Sequence, residues 1–90
     1  MSMDTPILGT QGEDAPGAET VKNTTTQDFV RDVVEASQTQ PVLVDFWAPW
    51  CEPCKQLTPI LEKVVRASKG AVALVKMNID DYPEIPGQMG

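Results

Sequence analysis

Two almost unbroken apolar runs, PVLVDFWA at residues 41–48 and AVALVKMNID at residues 71–80, stand on either side of CEPCKQLTPILEKVVRASKG at residues 51–70. Runs of β-branched and aromatic residues without polar alternation suit strands buried on both faces, as in a parallel sheet. Parallel neighbours need a crossover, and the segment between them has a helix's period. Leu57, Ile60, Leu61, Val64 and Val65 fall on one helical stripe. Gly70 is placed to cap the C-terminus of that helix, and Pro59, inside the stripe, predicts a kink. Upstream, TTQDFVRDVVEAS at residues 25–37 reads as another helix. Thr25 or Thr26 is its N-cap, Asp28 sits in the first turn, and Phe29, Val30, Val33 and Val34 make its apolar face. Pro41 biases Gln40 out of the helix. A short edge strand is expected around Val21 within residues 20–24, and the turn-rich end, DDYPEIPGQMG, carries at most one weak helical turn. The order β-α-β-α-β predicts an α/β fold with a parallel core and right-handed crossovers. Residues 1–18, rich in Gly, Pro, Thr and acid, read as a disordered tail, leaving residues 19–90 for one domain.

Ninety residues suffice for one small domain. The formal net charge of −6, with no cluster of Lys or Arg, argues against nucleic acid and against a polybasic membrane contact. The apolar runs are too short to span a bilayer. The first twenty residues have neither a basic region nor an apolar core, so no signal peptide is expected and the setting is read as the reducing cytoplasm. The chain has no histidine, which removes the commonest general base and the commonest metal ligand together.

The only two cysteines, Cys51 and Cys54, lie at the junction between the first long strand and the helix. Residues i and i+3 share a helix face about 5–6 Å apart, which is compatible with a disulfide. Cys51, at or near the N-cap, faces orphan N–H groups and the positive end of the dipole, which favour a thiolate. Pro53 suits the first turn, where its missing N–H has no partner to lose. Cys54, one turn in, is expected to be more buried and less ionised. That asymmetry supplies an attacking thiolate and a resolving thiol. Zinc wants four ligands, and an iron–sulfur cluster likewise; either would need a second chain. A purely structural disulfide over so short a loop gains little entropy. A CxxC between a buried strand and a helix is a strong signal for redox chemistry.

VDFWAPWCEPCK resembles the strand and active site of the thioredoxin family, LTPILEKV its kinked second helix and LVKMNID its third strand. VKMNIDDYPEIPGQMG is also similar to the thioredoxin-like domain of a bacterial co-chaperone that carries C-terminal helical repeats. The resemblance makes Cys51 the nucleophile and Cys54 the resolving thiol. It makes Trp50 a cover over the active-site surface, Pro59 the helix-kinking proline, Asp45 a buried acid behind the pair and Lys76 a lysine near that acid. An acid in an otherwise apolar strand is desolvated, which raises its pKa and suits it to take the Cys54 proton. The opposing reading of Asp45 is a buried charge paired with Lys76. Glu52 stands where the family usually has Gly, and a carboxylate beside Cys51 should disfavour the thiolate. Trp47 is read as core packing. The family's cis-proline loop, hairpin and last helix have no counterpart before Gly90, so a partial core with an open sheet edge is expected.

The function implied is dithiol–disulfide exchange with protein substrates that carry disulfides, by a monomer that needs no metal or organic cofactor and is recycled by an external reductase. The alternative is a redox-independent chaperone module that holds clients on a thioredoxin scaffold.

Overall fold

The structure is a computed structural model that describes residues 20–90. The tail expected at residues 1–18 lies outside the described residues. The three strands are β1 (Val21–Asn23), β2 (Val42–Trp47) and β3 (Ala73–Asn78). They form one parallel sheet in the order β1-β3-β2. β3 is central, which explains its composition: Ala73, Leu74, Val75 and Met77 are buried, because both of its faces are covered. The second of the two long apolar strands is thus the centre of the sheet, and β2 forms an edge among the described residues.

In register, Asn23, Lys76 and Asp45 line up across the sheet, and Lys22 lines up with Val75 and Val44. Successive side chains alternate between faces, so these two rows point in opposite directions. The helices follow the rows. Lys22 is bonded to Asp32 of the first helix, while Asp45 and Lys76 are bonded to the second. The helices therefore cover opposite faces. One crossover passes from β1 over the central strand to β2; the other returns from β2 to β3 across the other face. Opposite directions on opposite faces give both connections the same hand, as twisted strands require.

The first helix departs from expectation. Thr25 does cap the turn, its hydroxyl accepting from the Asp28 N–H at 3.1 Å. The helix itself, α1 (Val30–Glu35), is wide-turned rather than an α-helix, and it tightens into a 3-10 turn at Ala36–Gln38. Val30 and Val34 are exposed, and Asp32 is buried in their stead. Its carboxylate accepts from Thr24 at 2.9 Å, Arg31 Nε at 3.0 Å and Lys22 Nζ at 3.3 Å. Burial alone pushes this carboxyl up, but the hydrogen bonds from Arg31, Thr24 and Lys22 outweigh it and hold Asp32 below the usual carboxylate range. The inward side thus carries Asp32 with half-buried Phe29 and Val33, while Val30 and Val34 face out.

The second helix, α2 (Glu52–Ala67), is continuous through Pro59 and ends on Ser68, not on Gly70. The chain turns left-handed only afterwards, at Lys69 (φ 55°) and Gly70 (φ 92°). Glycine adopts that second conformation without the Cβ clash. The predicted stripe is only half used: Val65 is buried and Leu61 half-buried, while Leu57, Ile60 and Val64 are exposed. The face against the sheet runs instead through Cys54, Thr58, Glu62 and Val65. A short helix, α3 (Glu84–Met89), fills the turn-rich end, tied to the first helical region by the Thr26 hydroxyl donating to Glu84 Oε1 at 2.9 Å. No helix among the described residues is long and apolar enough to cross a membrane.

Candidate functional site

β2 ends at Trp47, and a tight turn comes next in which the Cys51 N–H donates to the Ala48 carbonyl at 3.0 Å. Ala48 is fully buried, fixing the turn against the body of the domain. Cys51 is then the N-cap of α2, with extended backbone, and its sulfur accepts from the Cys54 N–H at 3.3 Å. One orphan amide of the helix start thus points at Sγ, which is the arrangement that favours negative charge there. Pro53 occupies the first turn, as expected. Cys51 and Cys54 are joined by a disulfide, their Cα atoms 5.3 Å apart. Both are half-buried, so the expected difference between them is one of position, cap against first turn, and not of burial.

Glu52 points outward beside the pair; its side chain is 77% exposed and is ion-paired with Lys55 at 3.3 Å. Solvent and Lys55 both weaken its field at Cys51. Trp50 is 66% exposed, and its indole N–H donates to Asp80 Oδ1 at 2.9 Å. Asp80 is itself positioned by donating its backbone N–H to Asn78 Oδ1 at 2.9 Å. The ring is therefore pinned at the surface to the loop after β3. Trp47 is half-buried, and its Nε1 has no hydrogen-bond partner among the described residues. It lines a cleft of about 360 Å³ together with Lys76, Asn78 and Tyr82.

Asp45 lies in β2 beneath α2, 5% exposed. Its lateral neighbour in the sheet is Lys76, as the expected pairing requires, but the two are not joined. The Thr58 hydroxyl donates to Asp45 Oδ2 at 2.6 Å, and Lys76 Nζ donates to Glu62 Oε2 at 2.6 Å. The reason is geometric: Thr58 and Glu62 are one helical turn apart on the face of α2 that lies over two laterally paired residues. Each takes the one beneath it. The Lys76 hydrogen bond holds Glu62 below the usual carboxylate range against a partial opposing effect of burial, and Arg66 adds to it at 3.6 Å from Oε1. Pro59 lies between these two contacts, on the outer side of α2.

Of the residues expected at the site, Cys51, Pro53 and Cys54 lie at the start of α2, Trp50 in the turn before it, Asp45 beneath Thr58, and Lys76 beneath Glu62, one turn further along. Sequence reasoning did not find Thr58, Glu62 or Asp80. The signal for the first two was polar side chains at four-residue intervals, Cys54, Thr58 and Glu62, along a helix otherwise read by its apolar stripe.

The thioredoxin family model matches residues 20–90. The chain is 50% identical to the thioredoxin of Rickettsia felis over 68 residues, which cover 76% of this chain and 63% of that protein. It is 41% identical to the thioredoxin of Pseudomonas aeruginosa over 73 residues, 81% and 66% of the two chains. With that of Haemophilus influenzae it shares 50% identity over 50 residues, 56% and 47%. The chain thus spans somewhat under two thirds of the length of the first of these relatives. A parallel strand that hands its chain through a tight turn to a Cys-capped helix, in a sequence so closely matched, places this chain in the thioredoxin family.

Proposed function

We propose that the chain exchanges its Cys51–Cys54 dithiol with disulfides of protein substrates. The observation that carries this reading is the disulfide at the start of α2, with the Cys54 N–H on the Cys51 sulfur. In the reduced form Cys51 attacks as a thiolate. A mixed disulfide forms and one substrate sulfur leaves as thiolate. Cys54 then gives its proton to Asp45 and attacks the Cys51 sulfur, and the second substrate sulfur leaves. Two electrons have passed from the dithiol to the substrate, and an external reductase returns them. Trp50 and the loop that holds it form the surface on which a substrate segment lies, and no cofactor enters the exchange. A reducing, cytoplasmic setting suits a pair that must be returned to the dithiol.

A second reading, a redox-independent module that binds unfolded clients, draws on the exposed row Leu57, Ile60 and Val64. A redox titration of the chain in defined dithiol buffers, with alkylation to trap each state, separates the two. A reversible two-electron transition at a reducing potential is the expected result. A folded chain that forms no intramolecular disulfide would end the redox reading, and a Cys51→Ser, Cys54→Ser variant with full client protection would favour the other.

A further inference from the structure

We infer that Thr58 is a positioning residue for the resolving half of the exchange, holding Asp45 so that one carboxylate oxygen is fixed and the other is left for the Cys54 proton. The inference rests on the dithiol function proposed above and adds a residue to it.

Thr58 comes four residues after Cys54, so the two side chains lie on one face of α2, a single turn apart. That face is turned to the sheet, and the hydroxyl of Thr58 donates to Oδ2 of Asp45 at 2.6 Å. Asp45 is 5% exposed, so water competes poorly for this oxygen. A hydroxyl donor bonds the carboxylate form well and gives the buried acid an aligned partner; it also commits Oδ2 and leaves Oδ1 free. The charged and titratable groups around Asp45 come from two elements. β3 supplies Lys76, its lateral neighbour, and α2 supplies Glu62, also touched by Arg66, one turn after Thr58, with Cys54 one turn before Thr58 on the same helix face. β1 contributes only the neutral Asn23 to this row. Glu62 takes the Lys76 ammonium at 2.6 Å and so keeps it off Asp45. The hydroxyl, and not the lysine, is therefore the direct partner of the acid.

The step balances without any added reagent. The Cys54 S–H bond breaks as its proton passes to Asp45. The Cys54 thiolate forms the bond to Cys51 Sγ, and the mixed disulfide breaks with the electron pair leaving on the substrate sulfur. The proton on Asp45 goes on to water.

The test uses the reduced 90-residue chain and 5,5′-dithiobis(2-nitrobenzoate). Attack by Cys51 releases one thionitrobenzoate; resolution by Cys54 releases a second in an intramolecular, concentration-independent phase. In Thr58→Val, which keeps the shape and loses the donor, the acid limb of the second phase moves up by about one pH unit, since hydrogen bonding no longer favours the charged carboxylate. At any pH on that limb the phase is then about tenfold slower, the rate there falling tenfold per pH unit. Above about pH 9 it rejoins the unchanged chain, because Cys54 then ionises unaided. The first phase is unchanged, and Thr58→Ser restores the second. Glu62→Gln frees Lys76 toward Asp45 and moves the limb the other way. Should Thr58→Val fail to fold, the unchanged chain supplies the answer: the Thr58 methyl resonance titrates together with the Asp45 carboxyl. A second phase that is the same in Thr58→Val, equal slowing of both phases, or a Thr58 methyl blind to the Asp45 titration overturns the inference. A wild-type chain that releases only one thionitrobenzoate overturns the dithiol function itself, and that outcome is distinct from the others.

Discussion

At the residue scale, the legible features were those whose meaning is local. Cys51, Pro53 and Cys54 are defined by their places at a helix start, and a strand leading into a helix shows where that start must be. Trp50 is exposed because it lies in the turn before it. Asp45 was legible as an anomaly, one acid in a run of apolar residues, but its partner was not. Partner choice depends on the rotation of α2 over the sheet, which apolar periodicity misjudges. Glu52 shows the same limit from the other side. Its sequence position beside Cys51 suggests repulsion, while its exposure and its bond to Lys55 weaken it. Glu52→Gly is therefore expected to move the Cys51 thiol titration to lower pH by no more than about half a unit, a small exposed-charge effect. Ultraviolet thiolate absorbance of the reduced chain against pH measures it. A downward shift above about one unit would mean that the Glu52 charge acts on Cys51 unscreened.

At the element scale, α2 carries two distinct faces that the sequence runs together. Val65 is 2% exposed, whereas Ile60 is 59% exposed, although both belong to one apolar stripe. Area removed from water decides their energetic weight. Val65→Ala should destabilise by about 1–2 kcal/mol, and Ile60→Ala should stay within about 0.5 kcal/mol. Urea unfolding of the two variants compares them directly, and equal losses would show that the stripe, not the observed face, packs. In α1 the sequence pattern misleads for a related reason. Phe29, Val30, Val33 and Val34 suggest an apolar face, yet Asp32 turns inward because Lys22 and Thr24 on and after β1 offer it donors. Asp32→Ala leaves the Thr24 hydroxyl buried without that acceptor and should cost about 2 kcal/mol, which the same urea midpoints read. A loss below about 0.5 kcal/mol would show that the apolar residues hold α1 without the anchor.

At the scale of the whole molecule, the order of elements was read correctly because alternating apolar runs and helical periods leave little choice. The order of strands was left open, since nothing in composition says that β3, and not β2, is central. The sheet carries an ion-paired carboxyl on each face: Asp32 of α1 with Lys22, and Glu62 of α2 with Lys76. Both carboxyls are held below their usual range, Glu62 chiefly by Lys76, and Asp32 by its donors against the opposing effect of burial. A carboxyl with a depressed folded-state pKa stabilises fully above its unfolded-state value, and that stabilisation is lost as pH falls through the folded-state one. The net negative charge acts in the opposite direction only down to the isoelectric point near 4.3; above it protonation relieves general repulsion, and below it protonation builds positive charge. The specific effect should win below about pH 4, because each anchor there loses its short-range bond to a cation while protonation no longer relieves any net repulsion. Unfolding free energy in urea should therefore fall as pH drops from about 5 to about 3. In Asp32→Asn and in Glu62→Gln the slope should be shallower, and in the double variant flatter still, because the sites lie on opposite faces and share no partner. A chain that grows more stable over that interval would show that net repulsion, and not the two anchors, governs its response to acid.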